Sequence, residues 1–138
     1  MLQREVVDRI TARAGSKERG YLSVFVEAYC TTEKLFDVAP GSFRPVPKVW
    51  SSVIRLLRKE SSDLPQNEEL LWRLVSAGFA QKRKTILNNL RAAPEALGET
   101  IKRHGGASII LCRGEIDLQR RAETLSLDEW VRLARTMD

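Results

Sequence analysis

No apolar run in this chain approaches the roughly 18 residues that a bilayer-crossing helix needs. The opening residues Met1-Leu2-Gln3-Arg4-Glu5 hold no apolar signal core either, so a cytoplasmic setting without membrane contact is expected. Histidine occurs once and cysteine twice. Cys30 and Cys112 lie far apart, and neither has a second ligand-type residue at metal spacing. That excludes the common zinc patterns, and with nothing suggesting secretion it leaves two buried free thiols as the expectation. His104 adjoins Gly105-Gly106 and reads as a surface or capping residue at a turn. Gly-rich phosphate or nucleoside loops and Ser/His/Asp sets are missing. The acidic pairs Glu68-Glu69 and Asp128-Glu129 fall in the first turns of helices, where the helix dipole accounts for them. Catalytic, cofactor-binding and metal-ligating residues are therefore not expected in this chain.

What the chain does have is positive charge. Lys and Arg number 23 against 18 Asp and Glu, a net +5. Such a balance favours polyanionic partners through phosphate neutralisation. Its distribution is more informative. Residues 1–58 hold ten Lys/Arg against six Asp/Glu, while residues 59–138 hold thirteen against twelve. Within the balanced half, residues 79–91 carry Lys82, Arg83, Lys84 and Arg91 with no acid.

Along the chain, Glu5 to Ile10 reads as a short helix with Val6, Val7 and Ile10 apolar. A polar loop comes next, and the apolar set Leu22, Phe25, Val26 and Tyr29 then fits a helix better than a strand. Lys34 to Val38 is a strand candidate closed by Pro40-Gly41. Each proline of Phe43-Arg44-Pro45-Val46-Pro47 fixes its own φ and pushes the preceding residue out of the helical region, so this arm must be extended and stiff. Val49 to Leu57 is a β-branched strand with apolar residues on both faces. A strand of that kind is covered on both sides and belongs to a larger sheet than this chain supplies.

Lys59 to Pro65 is a polar linker and the best domain boundary, and the residues beyond it are mostly helical. Helices are predicted over Glu68–Ala77, Phe79–Arg91 and Glu95–Arg103, and a capping box at Ser126-Leu127-Asp128-Glu129 opens the last. Residues 107–125 are ambiguous. On a helix over 79–91, Phe79, Ile86, Leu87 and Leu90 form an apolar stripe flanked by Lys82 and Asn89, and Lys84, Asn88 and Arg91 share the opposite face. Cations and amides on one solvent face suit phosphate oxygens. Arg83 falls inside the apolar stripe, where snorkelling or pairing with a carboxylate is expected.

Four stretches carry a resemblance. They are Met1-Leu2-Gln3-Arg4-Glu5-Val6, Gly20-Tyr21-Leu22-Ser23-Val24, Phe43-Arg44-Pro45-Val46-Pro47-Lys48-Val49-Trp50-Ser51 and Phe79-Ala80-Gln81-Lys82-Arg83-Lys84-Thr85-Ile86-Leu87-Asn88-Asn89-Leu90. The chain resembles the bacterial KsgA-type ribosomal RNA adenine N6,N6-dimethyltransferases, from its first residue to Asp138. The resemblance implies an α/β remnant plus an all-α part. Residues 1–58 would be the terminal helices and β-hairpin of a Rossmann-like S-adenosylmethionine methyltransferase domain, and residues 59–138 a small helical rRNA-recognition domain. The family's donor-binding and catalytic motifs have no counterpart here. S-adenosylmethionine is thus the cofactor of a complete protein and is not expected to bind this chain. The implied partners are rRNA of the small ribosomal subunit and a missing methyltransferase half, or a second copy meeting the exposed hairpin.

One role carries over. Phe43 matches the aromatic that stacks on the extracted target adenine, a base that needs such a platform. Val46 and Trp50 stand where the family usually has Pro and Asp, so the arm departs from the family pattern at those two positions. The expected RNA contacts are Lys48, Lys82, Lys84, Asn88 and Arg91. The Erm-type 23S rRNA methyltransferases share the Phe-x-Pro-x-Pro-Lys-Val arm, although Gln81-Lys82-Arg83-Lys84-Thr85 favours the small-subunit group. A stand-alone RNA-binding or assembly module is the alternative from another class.

Overall fold

The structure, a computed structural model, describes residues 1–138. Backbone pairing builds a three-stranded antiparallel sheet from β1 (Leu2–Gln3), β2 (Cys30–Val38) and β3 (Ser51–Arg58), in the order β1-β3-β2. The β2–β3 hairpin pairs from Cys30 opposite Arg58 to Val38 opposite Ser51, with a bulge that leaves Leu35 without a partner. Such a bulge bends the strand and raises its twist. β1 pairs with β3 only at Ser51 and Ser52, so the edge of β3 from Val53 to Arg58 is open on that side. The sheet's apolar residues are exposed on both faces, with Phe36 at 58%, Leu56 at 48% and Leu57 at 57%.

Seven helices surround and succeed the sheet: α1 (Arg4–Ile10), α2 (Tyr21–Tyr29), α3 (Glu68–Gly78), α4 (Ile86–Arg91), α5 (Glu95–Arg103), α6 (Ala107–Arg113) and α7 (Leu127–Arg135). None is long and apolar enough to cross a membrane. No group of His, Cys, Asp and Glu side chains could hold a metal ion. The capping box at Ser126 and Glu129 opens α7 as the sequence predicts: each side chain satisfies the other's backbone N–H. The main core holds 22 buried residues centred on Trp130, Leu71, Leu74, Ile86, Leu111 and Leu133. One member, Val24 of α2, comes from the segment before the helical part.

That segment is also locked from below. The Arg19 side chain is wholly buried, and it donates to Leu125 O (3.2 Å), Ala12 O (3.1 Å) and the Glu27 carboxylate (2.7 Å). Alongside, Gly15 N–H donates to Glu123 O at 2.8 Å. A charge this deep persists because the Glu27 carboxylate pairs with it and Nε and Nη1 are bonded, although the buried Nη2 has no partner. The polar stretch after β3 is tied down as well: Lys59 N–H bonds Tyr29 O, Ser62 Oγ bonds Ala28 O, and Asp63 pairs with Arg135 at 2.6 Å.

Several expectations need correction. Residues 79–85 are a turn, and the helix begins only at Ile86. Arg83 therefore meets no apolar stripe and is exposed without an ion-pair partner. Neither cysteine is buried: Cys30 is half-buried at the start of β2 and Cys112 is exposed on α6. The strands are displaced from their predicted spans, β2 beginning at Cys30 and β3 running from Ser51 to Arg58. In α2 the helix is as expected, but the fully buried face is Ser23, Val24 and Ala28 rather than the larger residues.

Candidate nucleic-acid interface

The arm between β2 and β3 starts with a tight turn over Pro40–Ser42, after which Phe43 is extended at φ −118° and ψ 155°. Phe43 N–H bonds Pro40 O at 3.2 Å, which fixes the ring's starting point. The ring is half-buried, while Arg44, Pro45, Val46 and Lys48 are exposed or nearly so. Both ends of the arm are anchored. At one end the Asp37 carboxylate accepts from Ser52 Oγ (2.5 Å) and pairs with Lys34 (3.0 Å). The Ser52 hydroxyl, and then the Lys34 ammonium, hold the Asp37 carboxyl below the usual range. At the other end Trp50 O accepts from Arg4 N–H at 2.9 Å, and the Arg4 guanidinium lies 5.0 Å from the Trp50 ring centre.

The basic turn over residues 79–85 is held by one side chain. Asn89 is 4% exposed. Its amide donates to Gly78 O (2.8 Å) and Gln81 O (3.0 Å), and its carbonyl accepts from Gln81 N–H (3.1 Å). Thr85 then caps α4 by accepting from Asn88 N–H at 3.2 Å. Lys82, Arg83 and Lys84 are thereby presented to solvent on a fixed backbone. Asn88 is exposed on α4, and Arg91 is exposed with its guanidinium 3.4 Å from Ser108 Oγ. The face expected from Lys84, Asn88 and Arg91 does not exist as one helical face, because Lys84 precedes the cap.

Three clefts run in sequence across the molecule. The first, of about 290 Å³, lies between β1 and the arm and includes Arg4, Glu5, Lys48 and Trp50. The second, of about 610 Å³, shares Glu5 and adds Arg9, Lys17, Arg19, Tyr21 and Lys82. The third, of about 640 Å³, shares Tyr21 and lies over α3. Glu18 in the second cleft is held below its ordinary pKa, mainly by the Ser16 hydroxyl and its own backbone N–H, with Lys17 and Lys82 adding to the effect. The clefts join Lys48 and Lys82; Phe43, Lys84, Asn88 and Arg91 lie outside their linings. Sequence reasoning passes over Arg9, Lys17 and Tyr21. Lys17 reads as ordinary loop solvation, and only the fold brings these three beside Lys82.

The described architecture is a β-hairpin with an extended arm, set beside a helical body. The solved dimethyladenosine transferase of Plasmodium falciparum superposes with a TM-score of 0.71 at 23% identity, over 95% of this chain and 53% of that one. The 23S rRNA methyltransferase ErmE superposes with a TM-score of 0.60 at 21% identity, over 99% and 52%. At such identities the match speaks for the fold, here part of a methyltransferase. The family profile of ribosomal RNA adenine dimethylase matches residues 1–134, and the chain belongs to that family. The ribosomal RNA small subunit methyltransferase A of Acidithiobacillus ferrooxidans is 46% identical over 136 residues, 97% of this chain. That of Saccharophagus degradans is 41% identical over 138 residues, 99% of this chain. The chain spans 46% and 47% of the length of these two relatives.

Proposed function

We propose that this chain is the RNA-contacting C-terminal part of an enzyme that transfers methyl groups from S-adenosylmethionine to adenine N6 in small-subunit rRNA. The observation that carries the reading is the run of clefts joining the Lys48 arm to the Lys82 turn, with cations along it. RNA backbone laid there meets Arg4, Lys48, Arg9, Lys17 and Lys82 in turn, with Lys84, Asn88 and Arg91 as outlying contacts. Backbone contacts of this kind set register and orientation rather than sequence. Phe43 on its proline-stiffened arm is the platform for the extracted adenine. Donor binding and methyl transfer reside in the half of the protein that precedes residue 1, whose strands cover the open edge of β3. In the isolated chain a second copy takes that place, since an unpaired apolar edge invites pairing.

The test is the salt dependence of RNA binding. Replacing Lys48, Lys82 and Lys84 by Ala should weaken binding of a small-subunit rRNA fragment. Each lost phosphate contact should flatten the log K against log salt slope by about 0.7 to 0.9. An unchanged slope in the triple variant contradicts the proposal. The chain alone should show no saturable S-adenosylmethionine binding by calorimetry.

A further inference from the structure

The third cleft has a single cation in its lining, Arg73, and its walls are of another kind. One side is aromatic. Tyr21 stacks on Phe25 with ring centres 6.0 Å apart and planes 16° from parallel, and meets Trp72 edge-on at 5.9 Å. Phe25 and Trp72 are themselves 4.8 Å apart. Trp72 is fixed by its indole N–H, which donates to Tyr29 Oη at 3.2 Å, and Tyr29 Oη donates to Glu68 at 2.7 Å. The indole's one polar group is thus satisfied within this chain. The opposite side is built from Ala80, Pro94 and Leu97, none of which offers a side-chain donor or acceptor. The remaining polar side chains of the lining are Tyr21, Ser76 and the ion pair of Arg73 with Glu69 at 2.6 Å.

We propose that this cavity takes one unstacked base of a single-stranded or looped RNA whose backbone runs along the neighbouring basic cleft. The inference rests on the RNA reading above and adds a second base-binding place, separate from Phe43. Three features select a nucleobase. A cavity lined by the Tyr21 and Trp72 rings, set edge to face, and by Ala80, Pro94 and Leu97 suits a planar heterocycle, since every base has a face for an aromatic ring. The lining's guanidinium (Arg73) and hydroxyl (Ser76) are of the kind that hydrogen-bonds a base edge. Tyr21 lines both this cavity and the cleft holding Lys17 and Lys82, so a nucleotide whose phosphate is neutralised in one can place its base in the other. Single-stranded segments are the part of RNA from which a base is splayed onto an aromatic side chain.

The probes are two RNA hairpins, one with a seven-adenosine loop and one whose loop consists of abasic ribose phosphates, which keeps the charge and removes the bases. Affinities are read by fluorescence anisotropy on the full chain at fixed salt. The intact loop should bind roughly tenfold more tightly than the abasic one. Tyr21→Ala, at a residue 38% exposed, removes the stacking wall. Ala80→Phe, at an exposed position, fills the cavity. Both variants should bind the two hairpins equally, with the salt slope of the unaltered chain and the circular dichroism of the folded protein. Phe43→Ala should keep the preference for the intact loop. Equal binding of both hairpins by the unaltered chain overturns the proposal. So does a preference that survives in Tyr21→Ala and Ala80→Phe, or one that disappears only in Phe43→Ala. If Lys82→Ala with Lys84→Ala leaves both affinities and the slope unchanged, the phosphate reading fails, while the loop preference still decides the cavity.

Discussion

Replacing Asn89 by Ala tests whether the basic turn is held from inside the fold. The side chain makes three hydrogen bonds to the backbone of Gly78 and Gln81, and one of them, to Gly78 O, is buried. A buried carbonyl left without a donor costs about 1–3 kcal/mol, whereas the two part-buried bonds to Gln81 are replaced by water at about 0.5 kcal/mol each. The sum is roughly 2–4 kcal/mol, a large share of the 5–15 kcal/mol typical of a domain. Urea unfolding monitored by circular dichroism should show it as a lower midpoint with an unchanged slope. RNA affinity should fall beyond what global stability explains, because Lys82 and Lys84 would no longer be held in place. The adjacent Asn88→Ala, at an exposed side chain, should change stability by no more than about 0.5 kcal/mol. If the two alanine variants unfold together within that margin, the turn is not pinned by Asn89 and the reasoning fails.

Gly78→Ala places a methyl 2.4 Å from Cη2 of the fully buried Trp130 and 3.0 Å from Ile86 Cδ1. The overpacking should outweigh the gain in helix propensity, for a net loss of about 1–2 kcal/mol in the same unfolding assay; a stabilised variant would contradict the packing. Burial pushes the Glu129 carboxyl up, but hydrogen bonds from Arg120 and Ser126 N–H outweigh this and leave it below its ordinary 4.5. The stability it supplies is therefore complete above pH 4.5 and fades as pH falls through the lowered folded value. Glu129→Gln should cost roughly 1–2 kcal/mol at neutral pH, with the gap to the unaltered protein closing in acid. Hydrogen exchange on dilute protein should protect α3 and α7 well and the amides of Val53–Arg58 that face the open edge poorly; equal strong protection in a proven monomer would show that the open edge is of no consequence.

How much of this is legible without the fold depends on where the deciding forces lie. α3, α5 and α7 declare themselves through local signals: periodicity with a closing Gly in α3, flanking Pro and Gly in α5, and a capping box in α7. The turn over residues 79–85 escapes for the opposite reason. Gln81, Lys82, Arg83 and Lys84 are all good helix formers, and the helix is lost to Asn89, a partner later in the chain whose amide takes the backbone groups of Gly78 and Gln81. Thr85 is the one local sign, as a hydroxyl placed to cap Ile86. The hairpin and its arm can be read from β-branched residues and prolines, while the bulge at Leu35 has no turn chemistry to mark it. Of the candidate site, the cations are visible as composition. Their arrangement into clefts depends on α1 and α2 folding back against the turn, which no spacing within a single segment encodes.

The lock around Arg19 bears on the order in which the molecule can form. Its acceptor Leu125 O lies 106 residues downstream, and Glu123, which holds Gly15, is nearly as far. During synthesis the first helices and the hairpin leave the ribosome long before either partner exists, and no contact between them can bury that guanidinium fully. Until residues 123–125 have been made, Arg19 keeps only its local partners, Ala12 O and the Glu27 carboxylate. A chain that stopped short of residue 123 would lose more than α7: the loop between α1 and α2 would have nothing to close against.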